Sequence, residues 1–250
     1  MILLADFTWL PFLAATGFGA AVFAFVKYRI ALWEARRREE MAEIATDRGL
    51  RFSEENEVNI GPELKTFDLF DRSDFFKSAR ISNVLQTAIG FTDVYLFDYS
   101  YMVSTGKSSK RVSQTVFFAK NREWSLPDFK LKPEGWWQKI QQYFGKTDIN
   151  FDENPDFSNK WWLTGEFEAM IRESFSPEVR QFFEENPPMT VEGNNYYLIA
   201  YKPKRALDFA EGTLFYDKCL KLIELLQKKK ETAELMNLAE IKLPVEGSRN

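Results

Sequence analysis

Residues 7–26, FTWLPFLAATGFGAAVFAFV, are twenty in a row without a charge, and Lys27, Arg29, Arg36, Arg37 and Arg38 follow directly. At about 1.5 Å of rise per residue, such a helix reaches about 30 Å, the thickness of a bilayer's hydrocarbon core. A rod of this kind must be covered by lipid or by protein, and that choice constrains everything downstream. The run predicts one transmembrane helix. A cleaved signal peptide needs positive charges ahead of a shorter apolar core and a small-residue site behind it. Here the charges come after the core, and Phe25-Val26-Lys27-Tyr28 offers no such site. A buried helix of a soluble protein is the competing structural reading at this length.

Charge asymmetry sets the expected sidedness. Only Asp6 and the amino terminus precede the run. Basic residues stay on the cytoplasmic side, so the short N-terminus is expected outside and the bulk of the chain inside. Trp9 at one end, with Tyr28 and Trp33 at the other, matches the aromatic belts of the two interfaces, and Lys27 and Arg29 complete the expected membrane-interface set. Pro11 falls in the first turns, where a missing N–H costs least. Small residues at four-residue spacing, Ala15/Gly19 and Gly17/Ala21, would allow two such helices to approach closely.

The chain of 250 residues leaves enough beyond residue 27 to bury a core of its own, as one unit or as two lobes, 49–126 and 127–229. Its net charge of −4 argues against a nucleic-acid partner, which requires a basic stripe. The lone Cys219 excludes an intrachain disulfide and suits a reducing compartment. Histidine is absent altogether. That removes Ser-His-Asp and Cys-His nucleophile systems, imidazole metal ligation and histidine pH switching together, and with one cysteine it removes structural zinc. Chemistry would have to rest on carboxylates, Lys, Arg, Tyr, Ser or Thr; no catalytic residue, cofactor or metal is expected.

Residues 28–48 are dominated by Ala, Glu and Arg, with Glu34/Arg38 at a favourable spacing, and predict a helical stalk stopped by Gly49. Arg51-Phe52 starts a strand, and Gly61-Pro62 breaks the chain before a short helix or turn. Residues 81–89, 93–105 and 112–120 alternate as strands, the last two joined by the polar tip GKSSKR, and predict three antiparallel strands. Leu126-Pro127 reads as a loop. Pro133 opens an amphipathic helix through EGWWQKIQQYFG, and 148–157 is an acidic loop. A short strand at 160–164, helices at 166–174 and 177–185, a hairpin at 191–201 turning at Gly193-Asn194-Asn195, and a helix over 208–229 complete the core. Residues 230–250 read as a C-terminal tail. The order of elements predicts an α+β class: a transmembrane helix over 1–27, a stalk over 28–48, and an antiparallel sheet domain packed with helices over 49–229.

Each apparent ligand motif fails where it matters. Asp148, Asn150 and Asp152 have calcium-loop spacing, but Glu153 stands where the turn needs Gly and Asn159 where a bidentate Glu belongs. Thr105-Gly106-Lys107-Ser108 imitates the end of a P-loop, with Tyr101 in place of the first Gly and strands on both sides. Acidic pairs such as Asp68/Asp71 have nothing to place them across a cleft. Lys107, Lys110 and Arg111 at the hairpin tip are candidates for contact with anionic headgroups. Trp136 and Trp137 are candidates for an interface or partner groove, although Trp rings, including Trp161 and Trp162, mostly fill cores.

The string LPDFKLKPEGWWQKIQQYFGKTDINFDENPDFSNKWWLTGE, with Val179-Arg180 and VEGNNYYLIAY after it, resembles uncharacterised bacterial proteins of unknown function that place an N-terminal membrane helix before a cytoplasmic α+β domain. The resemblance implies a location in the bacterial inner membrane and this architecture, and it transfers no site residues. The expected function is a membrane-anchored cytoplasmic interaction or scaffolding module, whose partners are the bilayer and another membrane protein or a second copy. The alternatives are a tethered carboxylate-based hydrolase or transferase and a carrier of a small apolar ligand.

Overall fold

The apolar run from Leu10 and the basic stretch after it form one unbroken helix, α1 (Leu10–Arg48), of 39 residues. The computed structural model describes residues 10–71, 79–104, 106, 108–134 and 148–241, and for 10–18, 71 and 228–241 the backbone alone. Nothing between Phe12 and Arg48 breaks the helical ladder, so α1 extends for about 58 Å. It stops where the sequence puts Gly49, at φ +64. The Gly49 N–H donates to the Thr46 carbonyl (3.3 Å) and the Leu50 N–H to that of Ala45 (2.7 Å), the paired bonds of a Schellman cap. The helix has two regimes. From Gly19 to Arg36 every side chain is exposed; beyond it Arg37, Met41, Ile44 and Ala45 are buried.

Eight strands form one antiparallel sheet: β1 (Arg51–Glu55), β2 (Arg80–Ile89), β3 (Thr92–Ser104), β4 (Ser109–Lys120), β5 (Leu126–Pro133), β6 (Trp161–Gly165), β7 (Thr190–Asn195) and β8 (Tyr197–Tyr201). Their order is β1-β2-β3-β4-β8-β7-β5-β6. The expected meander β2-β3-β4 is its centre, and pairing of Val116–Lys120 with Tyr201–Tyr197 joins it to the later strands. The chain is thus α+β, with a long N-terminal helix and an eight-stranded antiparallel sheet.

Both faces of the sheet are covered, which is why β3 is apolar on both alternations. On one face Val94, Leu96, Phe117 and Ala119 meet α1 and α7 (Phe209–Ile241), with α4 (Pro155–Lys160), α5 (Glu168–Ser174) and α6 (Pro177–Glu185) over Phe129, Leu131 and Val191. On the other face Tyr95, Phe97, Tyr99, Tyr101, Phe118 and Tyr201 pack against Ile60, against Leu64 of the one-turn α2 (Gly61–Leu64) that follows it, and against Phe67. Phe70 of α3 (Asp68–Asp71) lies over Tyr99 at 4.6 Å between ring centres. Helices α1 and α7 run side by side in the same sense, since Leu207 meets Arg37, Gly212 faces Ile44 and Asp217 binds Arg48.

Several boundaries differ from the sequence reading, each for a physical reason. Residues 126–133 are strand β5 rather than a loop: Pro127 falls in an irregular stretch where the ladder to β7 slips between Leu126 and Phe129 and pairing to β6 has not begun. A missing N–H is harmless there. Lys110 and Arg111 belong to β4, opposite Val103 and Met102, rather than to the tip. The β7–β8 turn sits at Asn195-Tyr196, where Asn195 accepts a φ of +50. Helix α7 continues past Lys229 to Ile241, with no Gly or Pro in that stretch to stop it. Asn154 of the acidic loop caps α4, accepting the Phe157 N–H at 3.1 Å.

Candidate functional site

Pairing register gives the domain two distinct ends. Arg37 meets Asp98 on β3, whereas Arg51, just past the end of α1, pairs with Gln86, which in turn pairs with Tyr95. Descending α1 therefore leads toward the β2–β3 turn, and climbing α1 from Arg37 leads toward the β3–β4 hairpin. The hairpin end is the near end, from which the exposed half of α1 emerges. The opposite, far end carries the β2–β3 and β7–β8 turns, brought together because Asp93 pairs with Lys120 and Lys120 with Tyr197.

The best-defined polar constellation lies where α1 enters the domain. The Arg37 and Asp98 side chains are 4% and 5% exposed, so this is a buried ion pair. Arg37 Nε donates to Asp98 Oδ2 (2.8 Å) and Nη2 to Oδ1 (2.9 Å), a two-pronged contact. The same guanidinium donates to Thr115 Oγ1 (3.0 Å), to the Leu207 carbonyl, and to Glu40 Oε2 (3.2 Å). Thr115 Oγ1 also accepts the Leu207 N–H at 2.9 Å. A bulge in β2 holds Asn83 at φ +52, and its amide donates to Asp98 Oδ2 at 2.9 Å. One cluster thus ties α1, β2, β3, β4 and the segment before α7. Burial opposes the Arg37 charge, but Asp98 and then Glu40 overcome it and hold its pKa above the usual value.

A second constellation lies on the other face. Lys130 Nζ bridges Glu192 Oε1 (2.7 Å) and Asp68 Oδ2 (2.8 Å), and the Tyr201 hydroxyl donates to Glu192 Oε1 at 2.7 Å. The Asp68 N–H donates to Glu192 Oε2 at 3.2 Å, so this network pins the start of α3 to β7. Beside it is a cleft of about 100 Å³ lined by Asp68, Lys130, Lys132, Trp162, Thr164 and Glu192, where Lys132 lies 5.5 Å above the Trp162 ring. Lys130 is occupied by two carboxylates, which makes it a clamp rather than an available amine.

The predicted site residues are scattered between these features. Lys27, Tyr28, Arg29 and Trp33 are exposed on the protruding half of α1, Tyr28 by 60% and Trp33 by 46%, with Lys27 Nζ 5.4 Å from the Phe23 ring centre. Lys110 and Arg111 are exposed near the hairpin, and Arg111 Nη1 donates to Ser100 Oγ at 3.3 Å. Trp9, Lys107, Trp136 and Trp137 lie outside the described residues. Trp161 and Trp162 are buried in the sheet. Asp148 of the calcium-like loop accepts the Leu163 N–H at 3.0 Å, and among the described residues no acidic or cysteine cluster could hold a metal ion.

Sequence reasoning missed Arg37, which looks like any stalk residue, and missed the Lys130–Glu192 clamp. Asp98 did carry a signal: a charge amid DVYLFDYSYMV, a strand otherwise apolar on alternating positions, demands a buried partner. Among the described residues no helix is long and apolar enough to cross a membrane; the side chains of 7–18 are not among them. No family model matches the sequence, and neither a curated protein nor a solved structure matches it.

Proposed function

We propose that the chain is a single-pass membrane protein whose α+β domain, held on the cytoplasmic side, is a non-enzymatic interaction or scaffolding module. The observation that carries this reading is the switch along α1 at Arg37. Above it, Val22, Phe23, Phe25 and Val26 are 45%, 63%, 62% and 48% exposed, apolar groups on a protruding rod that no element among the described residues covers. Lipid is the cover that the apolar run, the basic residues after it and the flanking aromatics favour. Below the switch, the Arg37–Asp98 cluster fastens the same rod to four other segments, so a bilayer-held helix dictates the height and orientation of the sheet.

The interaction reading draws on the far end, which presents Ile89 (50% exposed), Phe91 (79%) and Tyr196 (40%) away from α1's protruding half. The buried charges are tied in structural pairs, and the cleft beside Lys130 falls well below the roughly 300–1,000 Å³ of ordinary ligand sites. A tethered hydrolase or transferase would have to work through that cleft or through the open groove of about 460 Å³ between α6 and α7, lined by Glu178, Glu185, Asp217 and Lys221. The test is photo-crosslinking from position 91 in native membranes, followed by mass spectrometry. The proposal expects a discrete membrane-protein neighbour or a second copy of the chain. Labelling no different from that obtained at an exposed polar position such as Glu57 would refute it.

A further inference from the structure

From the near end of the sheet we infer that the β3–β4 hairpin is a second membrane contact, one that recognises anionic lipid headgroups through Lys110 and Arg111; this rests on the anchored reading of α1. Three independent observations converge on it.

The first is height. Climbing α1 from Arg37 to Lys27 covers ten residues, about 15 Å. Climbing β3 from Asp98, the residue that Arg37 grips, to the strand's end at Ser104 covers six residues, about 20 Å. Both paths start from one ion pair and run toward the same end. The hairpin therefore reaches the height at which the apolar run gives way to Lys27 and Arg29. Lys110 and Arg111 pair with Val103 and Met102, five and four residues above Asp98, and stand at that level.

The second is charge. The chain carries −4 overall, yet no Asp or Glu occurs between Asp98 and Glu123, a stretch containing Lys107, Lys110, Arg111, Lys120 and Arg122. Among the described residues neither Lys110 nor Arg111 has a carboxylate partner. On other elements Arg36 is paired with Glu40, and Arg205 with Glu211. On α1 the exposed opposing charges near the basic residues after the apolar run are Glu34 and Glu39.

The third is direction. Strand alternation puts Arg111 on the same sheet face as Asp98 and Ser100, the face on which α1 docks, and its bond to Ser100 Oγ steadies it there. Lys110 points to the opposite face. The two cations thus flank the hairpin, one beside the emerging rod. With α1 alone the domain could swivel about the helix axis; a second headgroup contact fixes which edge faces the bilayer.

The experiment uses the full chain in vesicles of phosphatidylcholine with or without phosphatidylglycerol. A fluorophore is attached at Ser109→Cys, or in a separate sample at Tyr28→Cys, and quenched by a spin label on the lipid headgroup. Cys219 is buried and does not compete for the label. The inference expects strong quenching at position 109 only with phosphatidylglycerol. In K110S/R111S the docked-to-undocked ratio should fall about 25-fold, a factor of about five per charge. Quenching at position 28 but not at 109 overturns the hairpin contact and leaves the anchor standing. Quenching at neither position overturns the anchored reading and this inference with it. Quenching at 109 that ignores lipid charge or K110S/R111S, or that disappears when the protein is diluted in lipid, overturns headgroup recognition, the last case in favour of a second copy.

Discussion

Removing one member of the Arg37–Asp98 pair should loosen the domain far more than removing any exposed ion pair. In Arg37→Met, Asp98 keeps the Asn83 amide (2.9 Å) and the Thr115 hydroxyl (3.4 Å) but loses the buried guanidinium that balances its charge. In Asp98→Asn, Arg37 keeps the Leu207 carbonyl and Glu40, whose side chain is 21% exposed and so a weaker counter-charge. Breaking a buried pair from one side costs about 3–5 kcal/mol, because the other charge remains out of water. We expect Arg37→Met within that range and Asp98→Asn near its lower end, losses large against the roughly 5–15 kcal/mol that hold an ordinary domain folded. The double variant R37M/D98N should recover about 2 kcal/mol relative to the sum of the two, since neither charge is then stranded. Urea unfolding of the full chain in detergent, followed by the fluorescence of the buried Trp124, Trp161 and Trp162, reads all three variants. Single losses below about 1 kcal/mol, the scale of exposed pairs, would refute the account of this junction, and so would strict additivity.

Further outcomes follow from the core. Burial, with Tyr101 nearby for Tyr99 and Asp217 for Tyr216, pushes both phenols from the ordinary 10.0 up to about 12. The folded chain therefore holds these protons more tightly than the unfolded chain, so their stabilisation is complete below pH 10.0 and is lost as the pH rises through about 12. A rise of that size is worth on the order of 3 kcal/mol per group. Tyrosinate absorbance recorded with near-ultraviolet circular dichroism should show their ionisation coinciding with unfolding, and Tyr99→Phe should move that transition to higher pH. Asn154→Ala removes the α4 cap and should cost about 1 kcal/mol in the same urea assay. A methyl group on Gly193 would sit 2.2 Å from Phe129 Cε1. Gly193→Ala must displace that ring and should cost about 1–3 kcal/mol, whereas Gly193→Ala with Phe129→Leu should recover part of it.

Local signals were legible in the sequence, and distant pairings were not. Gly49 announced the end of α1, Ser176-Pro177 the start of α6, and the alternation around DVYLFDYSYMV the central strand, because each depends on neighbours within a turn or a pleat. Strand β5 was hidden by Pro127, a residue that forbids a regular ladder but sits where the ladder is already broken. The sheet order, with β8 and β7 inserted between β4 and β5, rests on pairings such as Phe117 with Ala200 that no local pattern encodes. The same applies to the buried charges. Asp98 could be recognised as a charge needing a partner, but Arg37 lies 61 residues away within a stretch that reads as solvated stalk. Lys130 and Asp68, 62 residues apart, are in the same position.

The claim on which the account turns is that the helix gripping Asp98 inside the domain is the helix held by lipid outside it. Flotation with vesicles at neutral pH, comparing the full chain with a version beginning at Tyr28, addresses it most directly. The account predicts that the full chain rises with the vesicles and resists high salt, while the shortened chain stays folded and remains in the dense aqueous fraction. If the full chain also stays in the aqueous fraction, lipid does not cover the protruding half of α1, and the architecture described here serves some other assembly.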